Sequence, residues 1–325
     1  FFFRPAGLTM LRANDFWDKE KGAPLLRRNA EFLPKGEPLP AELADRVAAW
    51  PGLCGADAEV DPPLEPSAPD EAADRIFLRD AERTFADEGH RQRMIGLLGR
   101  VWPLTKDYHQ GLGYIASLLL LLFDEETAFR MLLRIGRDDK YSPGYWHAAP
   151  DAYVRDAMVY ARLAEEREPE VAALLQQACL VPEAYASKWL IGLCVHVLPF
   201  RALFDYVEAF LEHGHAFLFR FSLALLRRTK EKLLAFKPTD VNLILEVLRL
   251  DQCQYGDELE AESGWFSSLV AEAKEVELEA EQLQALRAEE AERLAEKQRR
   301  IREREAQMAA EESDDEIVFS DEEDD

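Results

Sequence analysis

The chain has 325 residues, room for about two domains, and a 48% hydrophobic content that can fill a sizeable core. Its 63 acids against 39 bases give a formal charge of -24, which repels a phosphate backbone and argues against nucleic acid as a partner. The longest apolar runs, Ile115 to Phe123 and Leu190 to Val195, fall well short of the roughly 20 residues of a bilayer-crossing helix, so no transmembrane span is expected.

Residues 1–39 read as an N-terminal region, in which the Phe1 to Phe3 triplet meets Arg4 and Pro5 too soon to be a signal-peptide core. Pro62, Pro63, Pro66 and Pro69 predict a loop over residues 60–69. From Ala73 onward the apolar spacing is helical. Leu203, Phe204, Val207, Phe210 and Leu211 repeat at helical intervals and stop before Gly214, where a C-terminal cap belongs. Val241, Ile244, Leu245 and Leu248 do the same behind Pro238 and Thr239, a proline followed by an N-cap residue type. Alternation of period two appears only in scraps such as Val195-His196-Val197, so the expected architecture is all-α.

Beyond Glu258 the composition changes. Leu269, Val276 and Leu283 are spaced by seven, as are Leu294, Ile301 and Met308, with a four-residue stutter between the two sets. Glu290 and Lys297 interrupt the other side of this seam, so a solvated charged helix over 258–310 is favoured over a coiled coil. Residues 311–325 hold ten acids and no base and are expected to be a disordered acidic tail. Ser313 and Ser320 precede acids at +1 and +3, the pattern of an acidophilic-kinase site. The helix and tail are candidate surfaces for a further protein partner.

Two stretches carry chemistry. In Phe77-Leu-Arg-Asp80-Ala-Glu-Arg83 the aspartate and arginine are three apart and share a helix face, so the carboxylate can hold the guanidinium in a pose suited to phosphate. The same spacing is also that of an ordinary weak surface ion pair. In Tyr108-His109-Gln110-Gly111-Leu112-Gly113-Tyr114 a glycine lets the backbone approach a ligand, and the amide beside it can both accept and donate. Gly111, Gly113 and Ala116 also match a dinucleotide-binding pattern. That pattern needs a strand ahead of it, and Gly99 to Asp107, with Pro103 inside, supplies a poor one.

Taken in order, these stretches resemble the TBC-domain family of Rab GTPase-activating proteins. Arg46, Trp50, Leu53 and Gly55 match the family's opening motif; Phe77, Asp80 and Arg83 match its I-x-x-D-x-x-R; Tyr108, Gln110 and Gly111 match its Y-x-Q-G. Glu126 to Phe129, Lys188 to Leu190 with Leu198 and Pro199, and Phe217 to Arg220 with Leu223 to Leu225 look like its later helices, so the resemblance covers residues 40–250. Phe77 stands where isoleucine is usual, and Phe204-Asp205 where Trp-Asp is usual.

The resemblance implies an all-α TBC domain that stimulates GTP hydrolysis by a Rab-type small GTPase in its GTP state. Arg83 would be an arginine finger, Gln110 a glutamine finger, and Asp80, Tyr108 and Gly111 their supports. The chain would need no cofactor of its own, since GTP and Mg are carried by the GTPase, and would turn over no substrate of its own. It would be cytoplasmic and recruited to membranes by its GTPase. The alternative is a TBC-like scaffold or effector that binds a GTPase without accelerating it. Four scattered cysteines, Cys54, Cys179, Cys194 and Cys253, fit reduced thiols of that compartment. His213 and His215, at a predicted helix end, lack a third metal ligand at regular spacing, and Trp50 and Trp189 read as packing anchors.

Overall fold

In the computed structural model, residues 41–56, 71–85, 88–105, 108–147, 150–198, 200–255 and 264–315 are described. The N-terminal region 1–39 and the proline-rich stretch 60–69 lie outside them, as does most of the acidic tail. Every regular element among the described residues is a helix. In order these are α1 (Ala41–Leu53), α2 (Glu71–Thr84), α3 (Glu88–Thr105), α4 (Gln110–Leu122), α5 (Glu125–Arg137) and α6 (Asp151–Arg167). They continue as α7 (Pro169–Gln177), α8 (Phe200–His213), α9 (His215–Leu234), α10 (Val241–Leu248), α11 (Trp265–Glu275) and α12 (Ala280–Asp315). None is long and apolar enough to cross a membrane.

The elements follow from local chemistry. Helix α4 buries Leu118, Leu119, Leu120, Leu121 and Leu122 together, as expected of a helix apolar all round, and lies inside the molecule. Asp124 ends the leucine run and starts α5: its Oδ1 accepts from the Thr127 backbone N–H at 2.8 Å, an N-cap bond. Helix α5 buries only Ala128, Met131, Leu132, Leu133 and Ile135, and it ends with Arg134 and Arg137 near the negative end of its dipole. Helix α9 is a central column, burying Phe217, Phe221, Leu225 and Leu226, with α7, α8, α10 and α11 packed around it. Gly214 joins α8 to α9 with φ +66°, and a Cβ there would lie 2.0 Å from the Lys140 carbonyl oxygen, so the expected glycine at this helix end has two physical reasons. Helix α10 starts behind Asp240 rather than Thr239.

The weak case for a strand ahead of the glycines ends in a helix, and two expectations about the C-terminal part are corrected. Helix α3 runs through Pro103 to Thr105, so a helix and not a strand leads into Gly111 and Gly113, and the dinucleotide pattern has no strand to serve it. The single charged helix expected over 258–310 is two helices. Helix α11 buries Phe266, Leu269, Val270 and Ala273 against α8 and α9, so the folded body continues past residue 250. Helix α12 then runs antiparallel along α6, joined to it by Gln282 with Glu166, Glu290 with Arg162, Arg287 with Asp156 and Gln298 with Asp151. It remains helical to Asp315, past the residue-311 start expected for the disordered tail.

The seam is only half solvated. Leu283 and Leu294 are buried, whereas Ile301 and Met308 are exposed. Glu290, read as an interruption, is buried and bonded by Arg162 at 3.2 Å and Arg293 at 2.9 Å. The main anchor is Arg287, whose Nε and Nη2 donate to the two oxygens of fully buried Asp156 at 3.0 and 3.1 Å. Tyr145 at 2.5 Å and Arg155 at 2.6 Å complete the shell of Asp156.

Replacing Arg287 with alanine should lower folding stability by about 2–3 kcal/mol, because a buried carboxylate loses a two-pronged partner and keeps only Arg155 and Tyr145. Urea denaturation of the full chain measures it.

Candidate functional site

Helix α2 turns its stripe of Ala73, Phe77, Ala81 and Thr84 inward, and Asp80 lies on that stripe. A carboxyl group there is costly to ionise unless it is bonded. Burial raises its pKa, and two partners oppose the rise. The Tyr108 hydroxyl donates to Oδ2 at 2.8 Å, and the Arg83 guanidinium donates to Oδ1 at 3.4 Å. The phenol is pushed up in turn, by its own burial and by the Asp80 charge. Tyr108 is held edge-on by Phe77, with ring centroids 5.2 Å apart, and Phe77 also packs edge-on against Trp102. Phenylalanine in place of isoleucine thus adds an aromatic wall behind the tyrosine.

The Asp80–Arg83 pair is neither the bland surface pair nor a tight clamp. The aspartate is buried, whereas the arginine side chain is 63% exposed and its one contact among the described residues is long. Most of the guanidinium-bearing side chain faces solvent.

Gln110, two residues after Tyr108, opens α4 and is exposed. Its neighbours set its position. His109 caps the helix, with Nδ1 accepting from the Gly111 backbone N–H at 3.0 Å, so the imidazole is a neutral acceptor at that nitrogen. Burial lowers the pKa of His109 and favours that form. Gly111 lies against buried Ile191, where an added Cβ would fall 2.1 Å from the Ile191 Cγ2 and 2.9 Å from its carbonyl oxygen. Gly113 lies beneath Tyr108, where a Cβ would come within 2.5 Å of the phenolic oxygen. The glycines therefore serve helix packing and the Tyr108–Asp80 bond. Ile191 belongs to an irregular stretch between the short 3-10 turn Ala186–Lys188 and α8, in which Leu193 and Cys194 adopt φ +43° and +57°, unusual for residues with side chains. The Val195-His196-Val197 alternation falls in this stretch and forms turns.

The opening motif is structural. Arg46 on α1 donates to Asp205 at 2.7 Å and through Nε to Glu208 at 3.0 Å, both on α8, and these carboxylates raise its pKa. One helical turn on, fully buried Trp50 meets Phe204 edge-on at 5.6 Å, so the Phe204-Asp205 pair receives both residues. Gly55, at φ +70°, closes α1: its N–H bonds Gly52 and that of Ala56 bonds Pro51, the pattern of a Schellman cap.

The Tyr108–Asp80 bond thus brings the Arg83-bearing helix to the start of the Gln110-bearing helix. Arg46, Trp50 and Gly55 stand apart at the α1–α8 junction. His213 contacts Glu212 at 3.4 Å, and both nitrogens of His215 are engaged, one with the Lys140 carbonyl and one with Arg287. Sequence reasoning missed His109, Gly113 and Ile191. A usable signal lay in the histidine preceding a helix start and in a carboxylate falling in an apolar stripe.

A family profile, the Rab-GTPase-TBC domain, matches residues 51–234, more than half of the chain. The chain belongs to the TBC-domain family of Rab GTPase-activating proteins. It is 28% identical over 176 residues to the Rab GTPase-activating protein tbc-11 of Caenorhabditis elegans, covering 50% of this chain and 18% of that protein. It is 25% identical over 268 residues to human growth hormone-regulated TBC protein 1, covering 72% of this chain and 74% of the relative. The match to human TBC1 domain family member 10B is 30% identical, over 47% of this chain and 20% of the relative. Among solved structures, the Chlamydomonas flagellar RabGAP TBC domain superposes with a TM-score of 0.52 at 19% identity, covering 75% of this chain and 82% of that one. The TBC domain of Drosophila melanogaster Skywalker/TBC1D24 gives 0.53 at 15%, covering 77% and 86%. These two likenesses establish the fold.

Two outcomes follow. Gly111→Ala should cost about 1–3 kcal/mol by overpacking against the Ile191 backbone, seen as a lowered thermal midpoint. A second concerns pH. Because the folded pKa of His109 lies below the ordinary imidazole value of 6.5, its contribution to stability is complete above about pH 6.5 and is lost as pH falls through the folded pKa. His109→Asn keeps a capping side chain and should flatten that part of the acid limb in denaturation midpoints measured between pH 7.5 and 5.

Proposed function

We propose that this chain stimulates GTP hydrolysis by a Rab-type GTPase by supplying Arg83 and Gln110 in trans. The observation that carries this reading is the Tyr108–Asp80 hydrogen bond, which ties two helices together while the arginine of one and the glutamine of the other both point to solvent. GTP hydrolysis develops charge on the γ-phosphoryl oxygens with a water in line behind them. A guanidinium fork inserted from a partner stabilises that charge, an effect worth about 10³–10⁵ in rate, or roughly 4–7 kcal/mol, in other GTPase–activator pairs. A side-chain amide can accept from the attacking water and donate to a phosphoryl oxygen, which orients the nucleophile.

The geometry suits this division of labour. The long Asp80–Arg83 contact leaves the finger easily transferred from carboxylate to phosphate, since a single stretched bond costs little to break. Gln110 on the first turn of α4 has its backbone set by the His109 cap and by the Gly111–Ile191 contact. The nucleotide and its Mg belong to the GTPase, and recruitment to a membrane would come through that partner.

Single-turnover hydrolysis across a panel of GTP-loaded Rabs tests the reading. Wild type should accelerate at least one member. Arg83→Lys should be nearly as inactive as Arg83→Ala, because a lysine offers one compact ammonium where the fork bridges oxygens. Gln110→Ala should also slow the reaction, and all three variants should bind the GTP-loaded Rab near wild-type affinity. Stimulation of no Rab by wild type, or an Arg83→Lys variant that keeps most of the rate, would reject it. GTP-dependent binding without any rate effect would identify a scaffold instead.

A further inference from the structure

The window Lys297-Gln-Arg-Arg-Ile-Arg-Glu-Arg304 holds five bases and one acid, the most positive run of eight residues in a chain whose formal charge is -24. It lies where α12 leaves α6, and all five bases are exposed. Acids of the same helix take up part of the charge. Arg299 and Arg300 both reach Glu296, and Arg299 also lies 3.9 Å from Glu303. Lys297, Arg302 and Arg304 have no carboxylate partner among the described residues.

Lys297, Ile301, Arg304 and Met308 are spaced four, three and four apart, so they form one stripe of the helix, flanked by Arg300. Ile301 is 45% and Met308 62% exposed. A stripe that alternates base and apolar residue is complementary to a segment that carries both acids and apolar side chains. The same chain supplies one in residues 316–325, outside the described residues, where Ile317, Val318 and Phe319 precede five carboxylates, Asp321 to Asp325.

The register also fits. At 1.5 Å per residue, the end of α12 at Asp315 is about 10 Å from Met308, about 17 Å from Arg304 and about 27 Å from Lys297 along the axis. A chain turned back from Asp315 and extended at about 3.3 Å per residue places Phe319 at about 13 Å and Asp321 to Asp325 at about 20–33 Å. The apolar residues then fall opposite Met308 and the acids opposite Arg304 to Lys297. Exposed ion pairs are weak singly and are screened by salt. A short tether raises the effective concentration to about the millimolar range, so a contact too weak to hold a free peptide can hold this segment. An acidic protein or an anionic membrane would meet the stripe only by displacing these carboxylates.

We propose that residues 316–325 fold back on α12 of the same chain, with Ile317 to Phe319 against Met308 and Asp321 to Asp325 against Lys297, Arg300 and Arg304. The segment is then a built-in competitor for any acidic ligand of the stripe. The inference is independent of Arg83 and Gln110.

Lys297 is the one lysine of residues 275–325, which suits zero-length carbodiimide coupling of amines to carboxylates in contact, mapped by mass spectrometry on the full chain. Monomeric protein should show an amide between Lys297 and one of Asp321 to Asp325. Its yield should fall at least fivefold in about 0.5 M NaCl and at least fivefold in Arg300→Glu/Arg304→Glu, which keeps the lysine and the tether. Met308→Ser should lower it about twofold. No link from Lys297 to these acids overturns the proposal, and sedimentation of such a chain with phosphatidylserine vesicles would assign the stripe to a membrane. A link found only at dimer mass overturns it in favour of a second copy. A link unchanged by both salt and the double variant overturns it too, since tethered collisions alone would then suffice.

Discussion

A carboxyl group removed from water must be given hydrogen bonds or it will resist ionisation, and the site is arranged around one such group, Asp80. Its two oxygens are divided between partners of different kinds. The Tyr108 hydroxyl comes from the segment ahead of α4, is largely buried, and bonds at 2.8 Å; the Arg83 guanidinium comes from the same helix, is largely exposed, and bonds at 3.4 Å. The strong bond joins two elements and sets their spacing. The weak one leaves a charged side chain largely in solvent. Phe77, Trp102 and Gly113 serve this division indirectly, since the first two wall in the Tyr108 ring and the third makes room for its hydroxyl.

The start of α4 depends on a second constraint, the close approach of Gly111 to Ile191. A helix can be seated this tightly only where a side chain is missing, and the stretch that receives it contains two non-glycine residues at positive φ. Such conformations are unfavourable alone and persist because surrounding packing over-determines them. Here that packing includes fully buried Trp189, whose indole N–H donates to the Leu248 carbonyl and whose own carbonyl accepts from Tyr206. The glutamine is thus positioned from α4 itself, from the irregular stretch and, through Trp189, from α8 and α10.

Far from the site, α12 follows the same electrostatic logic on a larger scale. Its dense charge would suit a free solvated helix, yet two of its residues meet buried carboxylate chemistry: Arg287 reaches Asp156, and Glu290 is itself buried between arginines. Buried ion pairs of this type cost desolvation and return it only when every oxygen is bonded, which favours one register of α12 along α6 over its neighbours. The exposed Ile301 and Met308 lie beyond Gln298, which makes the last bond to α6 among the described residues.

What the sequence determined by itself was the helical class, the order of motifs and the residue types of the candidate site. Those signals are local: an apolar period of 3.6, a glycine beside a glutamine, an arginine three residues from an aspartate. His109 stands just ahead of a long apolar run in the sequence, but that it caps a helix becomes visible only with the backbone conformation. The tertiary structure alone decided that Tyr108 rather than Arg83 is the main partner of Asp80, that Gly111 is required by Ile191 eighty residues away, and that α12 folds back on α6. The physical reason is distance along the chain. Burial and long-range hydrogen bonds depend on which segments meet: the apolar stripe around Asp80 signals an inward face but not which remote residue bonds it, and nothing in the spacing around Glu290 distinguishes a carboxylate destined for solvent from one sealed by a remote helix.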